Sequence, residues 1–267
     1  MLTLISSKSV KTIQVSLVLV GVALLNACMV SCPTKPLSSG KAARLALSEM
    51  PAPKVMIVGD SISAGPGCYK KYLQQKLAAN GAGHIQFVGE YTDDCGGGVM
   101  HSAVSCSTAL DYTKEQFNLP YCKPEAKYPG LAPLMAKHQP DMVMLQLGVN
   151  DMWSGETPIA EVLERYHTLI SQMRASNPDV VIAIAKIQKI LSDNCTNQKS
   201  YDQVEKLIGV LPEWAAANST GRSPIIVVDL WTNSDPHDAK DCVHPGDKGA
   251  QRMAENWYNA LAPVFVK

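Results

Sequence analysis

The chain lacks a charge imbalance, an internal repeat and a low-complexity tract, and these absences exclude several classes of protein. Lysine and arginine number 24, as do aspartate and glutamate, so no basic field exists to attract nucleic acid or anionic lipid. Charged residues make up only 18% of a chain that is 46% hydrophobic, which is not a disordered composition. We therefore expect a globular protein that does not bind nucleic acid and whose partner is a small molecule or a neutral polymer.

The N-terminus has the layout of a secretory signal. Lys8 and Lys11 precede an apolar run over residues 13–25, shorter than the roughly 18 to 20 residues of a membrane-spanning helix. Residues 25–28, Leu-Asn-Ala-Cys, resemble a bacterial lipoprotein cleavage box in which Cys28 becomes the lipidated first residue. The alternatives are a lipoprotein signal over residues 1–27, an ordinary cleaved signal and an uncleaved anchor. All three export the protein, either to the cell envelope as a lipoprotein or to the periplasm or exterior.

Export makes the 8 cysteines candidates for disulfides. Cys28 and Cys32 belong to a small, polar segment, residues 28–52, which we interpret as a tether. The other six belong to the body, residues 53–267, and are Cys68, Cys95, Cys106, Cys122, Cys195 and Cys242. Because no Cys-x-x-Cys pair occurs, disulfides are favoured over a zinc site. The sequence does not choose among the possible pairings.

Short apolar runs alternate with helical patterns throughout the body. The predicted strands are residues 54–58, 85–88, 142–147, 180–187 and 225–230. The predicted helices are residues 69–79, 131–137, 159–175, 201–217 and 247–261, and residues 42–50 of the tether could form another. Because the apolar character of the strands is continuous, a parallel sheet covered on both faces is indicated. We therefore expect one α/β domain, with Lys70 and Lys71 in a solvated helix start.

Polar motifs follow three of the predicted strands, at the sheet edge where open α/β sheets bind their ligands. Gly-Asp-Ser, ending at Ser61, follows the first strand, and Gly-x-Asn-Asp, with Asn150, follows the third. Asp-x-x-His, from Asp241 to His244, follows the fifth strand and precedes the last helix. Taken singly, each motif is more often a turn or a helix cap than a site.

Together, these residue types can perform acyl transfer. Serine is a poor nucleophile at neutral pH and needs a base whose pKa is near 7, such as an imidazole. The imidazole in turn needs a carboxylate to fix its tautomer and stabilise its charged form, and Asp241 lies close enough in sequence to His244 to do so. An asparagine amide is an uncharged donor suited to a developing oxyanion.

In this order the three motifs resemble the blocks of the GDSL or SGNH hydrolases over roughly residues 53–261. The segments Phe-Val-Gly-Glu at 87–90 and His-Pro-Gly-Asp at 244–247 are similar to carbohydrate esterase family 3, the acetylxylan-esterase-like branch. The resemblance implies a flavodoxin-like three-layer α/β/α sandwich with a five-stranded parallel sheet, making residues 53–267 the hydrolase domain. It implies an open active site that needs no metal or organic cofactor.

The resemblance also implies a role for each site residue. Ser61 is the nucleophile, His244 the general base and then the general acid, and Asp241 the acid that orients His244. The Ser61 N–H and the Asn150 side chain donate to the oxyanion.

A further oxyanion donor departs from the family pattern. The family's second block supplies a glycine N–H, and the best match here, Ser-Cys-Ser-Thr at 105–108, places Cys106 at that position. Ala103 is a less favoured equivalent. If the position requires a positive φ, Cys106 is strained there. We expect Cys106 to form a disulfide with Cys95 or Cys122 that pins this loop.

The leading functional hypothesis is an exported serine esterase that removes O-acetyl groups from a polysaccharide or another carbohydrate. One alternative is a GDSL-type lipase or lysophospholipase, which needs an apolar acyl groove and is disfavoured by only 3 phenylalanines. The other is a surface lipoprotein that binds carbohydrate without cleaving it. Contact with a membrane is expected only through a lipid on Cys28, and the sequence leaves the oligomeric state open.

Overall fold

Strands and helices alternate along the described residues, 38–65, 67–93, 95–190 and 198–266, of the computed structural model. The strands are β1 (Lys54–Gly59), β2 (Gln86–Val88), β3 (Tyr91–Thr92), β4 (Met100–His101), β5 (Gln116–Leu119), β6 (Lys123–Pro129), β7 (Met142–Gln146), β8 (Val181–Lys186) and β9 (Ile225–Asp229). The helices are α1 (Ser39–Leu47), α2 (Ser61–Ala64), α3 (Tyr69–Leu77), α4 (Ala109–Tyr112), α5 (Leu131–His138), α6 (Val149–Met152), α7 (Ile159–Ser176), α8 (Gln198–Asn218) and α9 (Asp247–Phe265).

The central sheet contains the five predicted strands in the order β2-β1-β7-β8-β9, and every neighbouring pair is parallel. Val55 of β1 pairs with Phe87 on one side and with Met142 on the other. All of β7 is buried, as is β1 after Lys54, which explains the continuous apolar runs in the sequence. The predicted flavodoxin-like α/β fold is confirmed.

Helices cover the sheet in two groups. Helices α1 and α3 both contact α9, while α5 and α8 both contact α7. Several large side chains of these helices are fully buried, among them Trp257 of α9, Tyr69 of α3 and Tyr166 of α7. None of the helices in the described ranges has the length and apolar content needed to span a bilayer.

Part of the segment interpreted as a tether is described. From residue 39 it forms α1, which packs on α9 and β9 and buries Ala43 and Leu47 in the core. The predicted signal over residues 1–27, the candidate lipidation site Cys28 and the first part of the tether lie outside the described residues. So does Cys195.

Two small antiparallel pairs, which the sequence analysis did not predict, extend from the central sheet. Strand β3 pairs with β4, and β5 pairs with β6 in a hairpin. In β5, buried Phe117 and Leu119 alternate with exposed polar residues. This two-residue period was the signal that could have predicted the hairpin.

The structure selects among the possible disulfides. Cys68 pairs with Cys95, and Cys106 pairs with Cys122 at the tip of the β5–β6 hairpin. Cys242 is disulfide-bonded as well. Cys106 was expected to pair with Cys95 or Cys122, and the structure pairs it with Cys122.

The expectation of a solvated helix start is wrong for Lys70. Its side chain is fully buried, donates to the carbonyl oxygen of Ser63 and lies 3.7 Å from the Asp93 carboxylate. A buried ammonium needs such partners because desolvating a charge is costly. Two adjacent lysines at the start of a helix do not indicate burial. Lys70 is buried because loops fold over α3.

Candidate active site

Ser61 lies where β1 gives way to α2, at the carboxyl end of the sheet. The strand leaves through Gly59, where a Cβ atom would lie 2.7 Å from Ser63 Oγ and 2.8 Å from the Gln146 carbonyl oxygen. Only glycine fits this close approach. Asp60 then caps the helical turn, accepting the Ile62 N–H at 2.9 Å.

His244 and Asp241 meet Ser61 in a continuous hydrogen-bonded chain. His244 Nε2 lies 2.8 Å from Ser61 Oγ, and His244 Nδ1 lies 2.9 Å from Asp241 Oδ2. A neutral imidazole with its hydrogen on Nδ1 donates to Asp241 and accepts from the Ser61 hydroxyl. The structure thus brings together the three residues that the sequence analysis assigned to catalysis.

Asp241 is held as a carboxylate. Its partial burial raises its pKa, but backbone hydrogen bonds from His244 at 2.7 Å and Val243 at 2.9 Å, with the His244 side chain, outweigh burial and lower the pKa to about 2. The side chains of His244 and Asp241 are 28% and 46% exposed. The site is therefore open to solvent, as the resemblance implies.

The segment that carries these two residues, residues 239–246, is called the triad loop here. Its ends are tied together, since Lys240 N–H donates to the His244 carbonyl at 2.9 Å and Gly246 N–H donates to the Asp238 carbonyl at 2.8 Å. Asp238 in turn accepts from Arg252 on α9 at 2.7 Å. These bonds fix the loop at the start of α9.

Asn150 lies on α6, directly after β7. The turn into α6 passes through Gly148 at a φ of +116°, where a Cβ atom would lie 2.7 Å from Tyr166 Oη. Asn150 Nδ2 donates to the Ser107 carbonyl at 2.9 Å, and this bond uses one of its two amide hydrogens. The other hydrogen has no acceptor among the residues that the structure describes.

Residues 102–108 form what is called the oxyanion loop here, and they are anchored to β1 beside Ser61. Ser102 N–H donates to the Ile57 carbonyl at 2.8 Å, and Val104 N–H donates to the Gly59 carbonyl at 2.9 Å. The Ser107 hydroxyl also reaches the Gly59 carbonyl, at 3.3 Å. This loop therefore lies along the strand that delivers Ser61.

Cys106 adopts the left-handed backbone conformation that favours glycine, with a φ of +68°. Its backbone N–H has no hydrogen-bond partner among the described residues. The N–H of Ala103 is occupied by His101 Nδ1 at 3.2 Å. Of the two candidates, Cys106 is thus the one with a donor to offer, and its disulfide to Cys122 holds the unfavourable backbone conformation.

Two aspartates of the motifs, Asp60 and Asp151, are buried, which the sequence analysis did not predict. Asp151 accepts the Ala109 N–H at 2.9 Å and an Arg165 N–H at 2.6 Å, so it links α6 to α4 and α7. Asp60 is fully buried, and burial, with a smaller contribution from the charge of Asp151, raises its pKa to about 7. Both residues belong to the motifs Gly-Asp-Ser and Gly-x-Asn-Asp, but the sequence gives no measure of their burial.

No metal or organic cofactor was expected from the sequence. Within the described ranges, no group of three or more His, Cys, Asp and Glu side chains is arranged to hold a metal ion. The chemistry that the site offers is that of its side chains. A hydroxyl is hydrogen-bonded to an imidazole, which is oriented by a carboxylate, with N–H donors nearby.

Comparison with known proteins agrees with this geometry. The GDSL-like lipase/acylhydrolase family matches residues 57–252. A multidomain esterase of Ruminococcus flavefaciens is 26% identical over 222 residues, which cover 78% of this chain and 28% of that protein. The chain therefore spans little more than a quarter of the length of this relative.

Solved structures of similar fold include several esterases. The structure of an acetyl esterase mutant with an acetate ion is 25% identical in sequence and has a TM-score of 0.64. The matched region covers 76% of this chain and 93% of the esterase chain. A carbohydrate esterase family 3 structure from Talaromyces cellulolyticus is 24% identical, with a TM-score of 0.66 and coverages of 78% and 96%. A family 3 carbohydrate esterase of Clostridium thermocellum is 20% identical, with a TM-score of 0.63 and coverages of 80% and 96%.

Proposed function

The chain belongs to the GDSL-like lipase/acylhydrolase family and is an esterase of that type, and from this premise we propose that it is an exported serine esterase removing O-acetyl groups from a carbohydrate. The observation that carries the proposal is the hydrogen-bonded chain from Ser61 through His244 to Asp241. A protein that merely binds carbohydrate has no use for a serine, an imidazole and a carboxylate in this arrangement. This supports catalysis over the non-catalytic alternative.

The proposed reaction has two steps. In the first, Ser61 Oγ attacks the ester carbonyl while its proton moves to His244 Nε2, and Asp241 stabilises the imidazolium. The N–H groups of Ser61 and Cys106 and the Asn150 amide donate to the oxyanion. His244 then protonates the departing alcohol oxygen, leaving Ser61 acylated. In the second step, water that is deprotonated by His244 attacks the acyl-enzyme, and the carboxylic acid and the free serine are released.

The acetyl and carbohydrate preference has a weaker basis than the reaction class. Proteins of similar fold include an acetyl esterase and two carbohydrate esterases, and the zero formal charge of the chain suits an uncharged glycan ester. Folds carry many functions, so the preference belongs to the proposal.

Export is proposed on separate grounds. The disulfides Cys68–Cys95 and Cys106–Cys122 persist in oxidising compartments and are rare in a reducing cytosol. The predicted signal over residues 1–27 points the same way, and lipidation of Cys28 is part of the same proposal. Labelling the expressed protein with a radioactive fatty acid, with Cys28→Ala as the control, tests the lipid directly.

Hydrolysis assays on p-nitrophenyl acetate, p-nitrophenyl decanoate and acetylated xylan test the function. We expect the wild type to release acetate from xylan and to prefer the acetate ester. Ser61→Ala should lose turnover by roughly 10⁶-fold, as for other serine nucleophiles. Ser171→Ala, a change on the exposed face of α7, is the matched control. Turnover that survives in Ser61→Ala refutes the assigned nucleophile, and a preference for the decanoate points to a lipase.

A further inference from the structure

A groove of about 480 Å³ adjoins the oxyanion loop. Its lining includes Cys106 and also Ala64, which ends the helical turn that Ser61 begins. The groove therefore borders the catalytic residues, although neither Ser61 nor His244 lines it. Its volume is within the range of roughly 300 to 1,000 Å³ that is typical of small-molecule sites. An acetyl group fills only a small part of it.

The walls of the groove combine aromatic rings with polar groups. Tyr91 and Tyr128 are both half-buried lining residues, and the Tyr128 ring is held by stacking on Phe117, with ring centroids 5.5 Å apart. A sugar ring presents an apolar C–H face that packs on an aromatic ring, and hydroxyl groups around its edge that need hydrogen-bond partners. Tyr128 is the ring best supported for such packing.

His101 lines the same groove and has a fixed tautomer. Its Nδ1 accepts the Ala103 N–H at 3.2 Å, so a neutral ring carries its hydrogen on Nε2. Burial, with the nearby charge of Lys70, lowers the pKa of His101 to about 4, so the ring is neutral at physiological pH. Exposed Lys123 adds an ammonium donor. A fatty acyl chain offers no acceptor to the His101 N–H or the Lys123 ammonium, whereas sugar hydroxyls can accept from both.

The groove wall is covalently connected to the oxyanion loop. Lys123 and Tyr128 lie on the β5–β6 hairpin, whose tip is joined to Cys106 through Cys122. We propose that this groove binds the sugar ring of the substrate, the alcohol part of the ester, and so presents its O-acetyl group to Ser61. The inference rests on the proposed function and extends it by naming the residues that recognise the alcohol.

The test compares two acetates that differ only in their alcohol: xylose tetraacetate and ethyl acetate, whose alcohol is too small to fill the groove. In Tyr128→Ala we expect the ratio of kcat/KM for xylose tetraacetate to that for ethyl acetate to fall about tenfold, through loss of the aromatic contact. Tyr121→Ala is the matched control, since Tyr121 is on the same hairpin but is fully exposed and lies outside the groove lining. Its ratio should stay at the wild-type value.

Lys123→Ala keeps the test informative if Tyr128→Ala does not fold, because Lys123 is exposed and its loss should lower the same ratio. Equal losses on both acetates would assign the hairpin a structural role and overturn the inference. A changed ratio of ethyl hexanoate to ethyl acetate, with the sugar ratio intact, would show an acyl groove and overturn it too. A wild type that hydrolyses no ester refutes the proposed function itself, which separates the two failures.

Discussion

The triad loop and the oxyanion loop assemble their geometry in different ways. In the triad loop, Asp241 and His244 are three residues apart and bind each other through both backbone and side chain. In the oxyanion loop, the partner of Asn150 is Ser107, 43 residues away, and Cys106 is held by a disulfide. The triad pair is thus a local structure, whereas the oxyanion site depends on contacts between distant segments. The contrast predicts that substitutions in the triad loop and in the oxyanion loop have different effects on turnover and stability.

Of the changes within these two loops, the largest effect is expected from His244→Ala, which removes both the base and the acid. Turnover of p-nitrophenyl acetate should fall by roughly 10⁵- to 10⁶-fold, as in other serine hydrolases that lose this residue. His237→Ala is the matched control, since His237 is exposed and its side chain makes no hydrogen bond to the described residues. Turnover of His244→Ala near the wild-type value would mean that another group serves as the base.

Asp241→Asn should slow turnover by roughly 10³- to 10⁴-fold, because the amide cannot stabilise the imidazolium and favours the wrong tautomer. The loop itself should persist, since an Asn side-chain oxygen still accepts the N–H groups of Val243 and His244. Steady-state kinetics with thermal unfolding measure both properties. An unchanged rate would show that the orienting acid lies elsewhere.

Asn150→Ala tests the oxyanion side, where the loss of one donor typically costs about 10²- to 10³-fold in kcat. We expect KM to change little, because the donor acts on charge that develops in the transition state. Asn118→Ala, on the exposed side of β5, is the control. If KM rises while kcat is unchanged, Asn150 serves to bind the ground state and is not an oxyanion donor.

A smaller effect is expected when the disulfide of the oxyanion loop is removed in two ways. Cys106→Gly and Cys106→Ala, each combined with Cys122→Ser, both lose a cross-link worth on the order of 3 kcal/mol. Glycine adopts the positive φ without strain, so its variant should be more stable than the alanine variant by about 1 kcal/mol and should retain more activity. Denaturant unfolding measures the difference. Equal stabilities would mean that the conformation at 106 changes once the disulfide is lost.

The last prediction concerns the stability contributed by Asp60, the buried residue that precedes Ser61. Its pKa is raised to about 7 in the folded protein, so the folded state binds more protons than the unfolded state between about pH 4 and pH 7. The stability contributed by the protonated group is complete below pH 4 and is lost as the pH rises through 7. Relative to the wild type, Asp60→Asn should gain on the order of 3 to 4 kcal/mol between pH 4 and pH 8.

Chemical denaturation at a series of pH values tests this, with Asp235→Asn as an exposed carboxyl control. A constant difference between Asp60→Asn and the wild type would show that Asp60 is ionised in the folded protein throughout this range.

Most of the central fold could be predicted from sequence because its signals are local. Each strand of the parallel sheet is an uninterrupted apolar run, and the observed ends of β1 and β7 differ from the prediction by one residue. The β5–β6 hairpin was missed because β6 is mostly exposed and contains two prolines, which are uncommon in strands. Burial of Lys70 was missed because it depends on Asp93 and Ser63, which approach only in the folded chain.

The sequence by itself determined the sheet, the motifs at its carboxyl edge and the pairing of Asp241 with His244, because each of these depends on neighbours within a few residues. Only the tertiary structure decided that Cys106 pairs with Cys122, that its φ is positive and that no described residue accepts from its N–H. Those properties depend on which distant segments contact one another. The pattern of residues along the chain does not indicate these contacts. The same holds for the groove beside Cys106, whose walls come from separate parts of the chain.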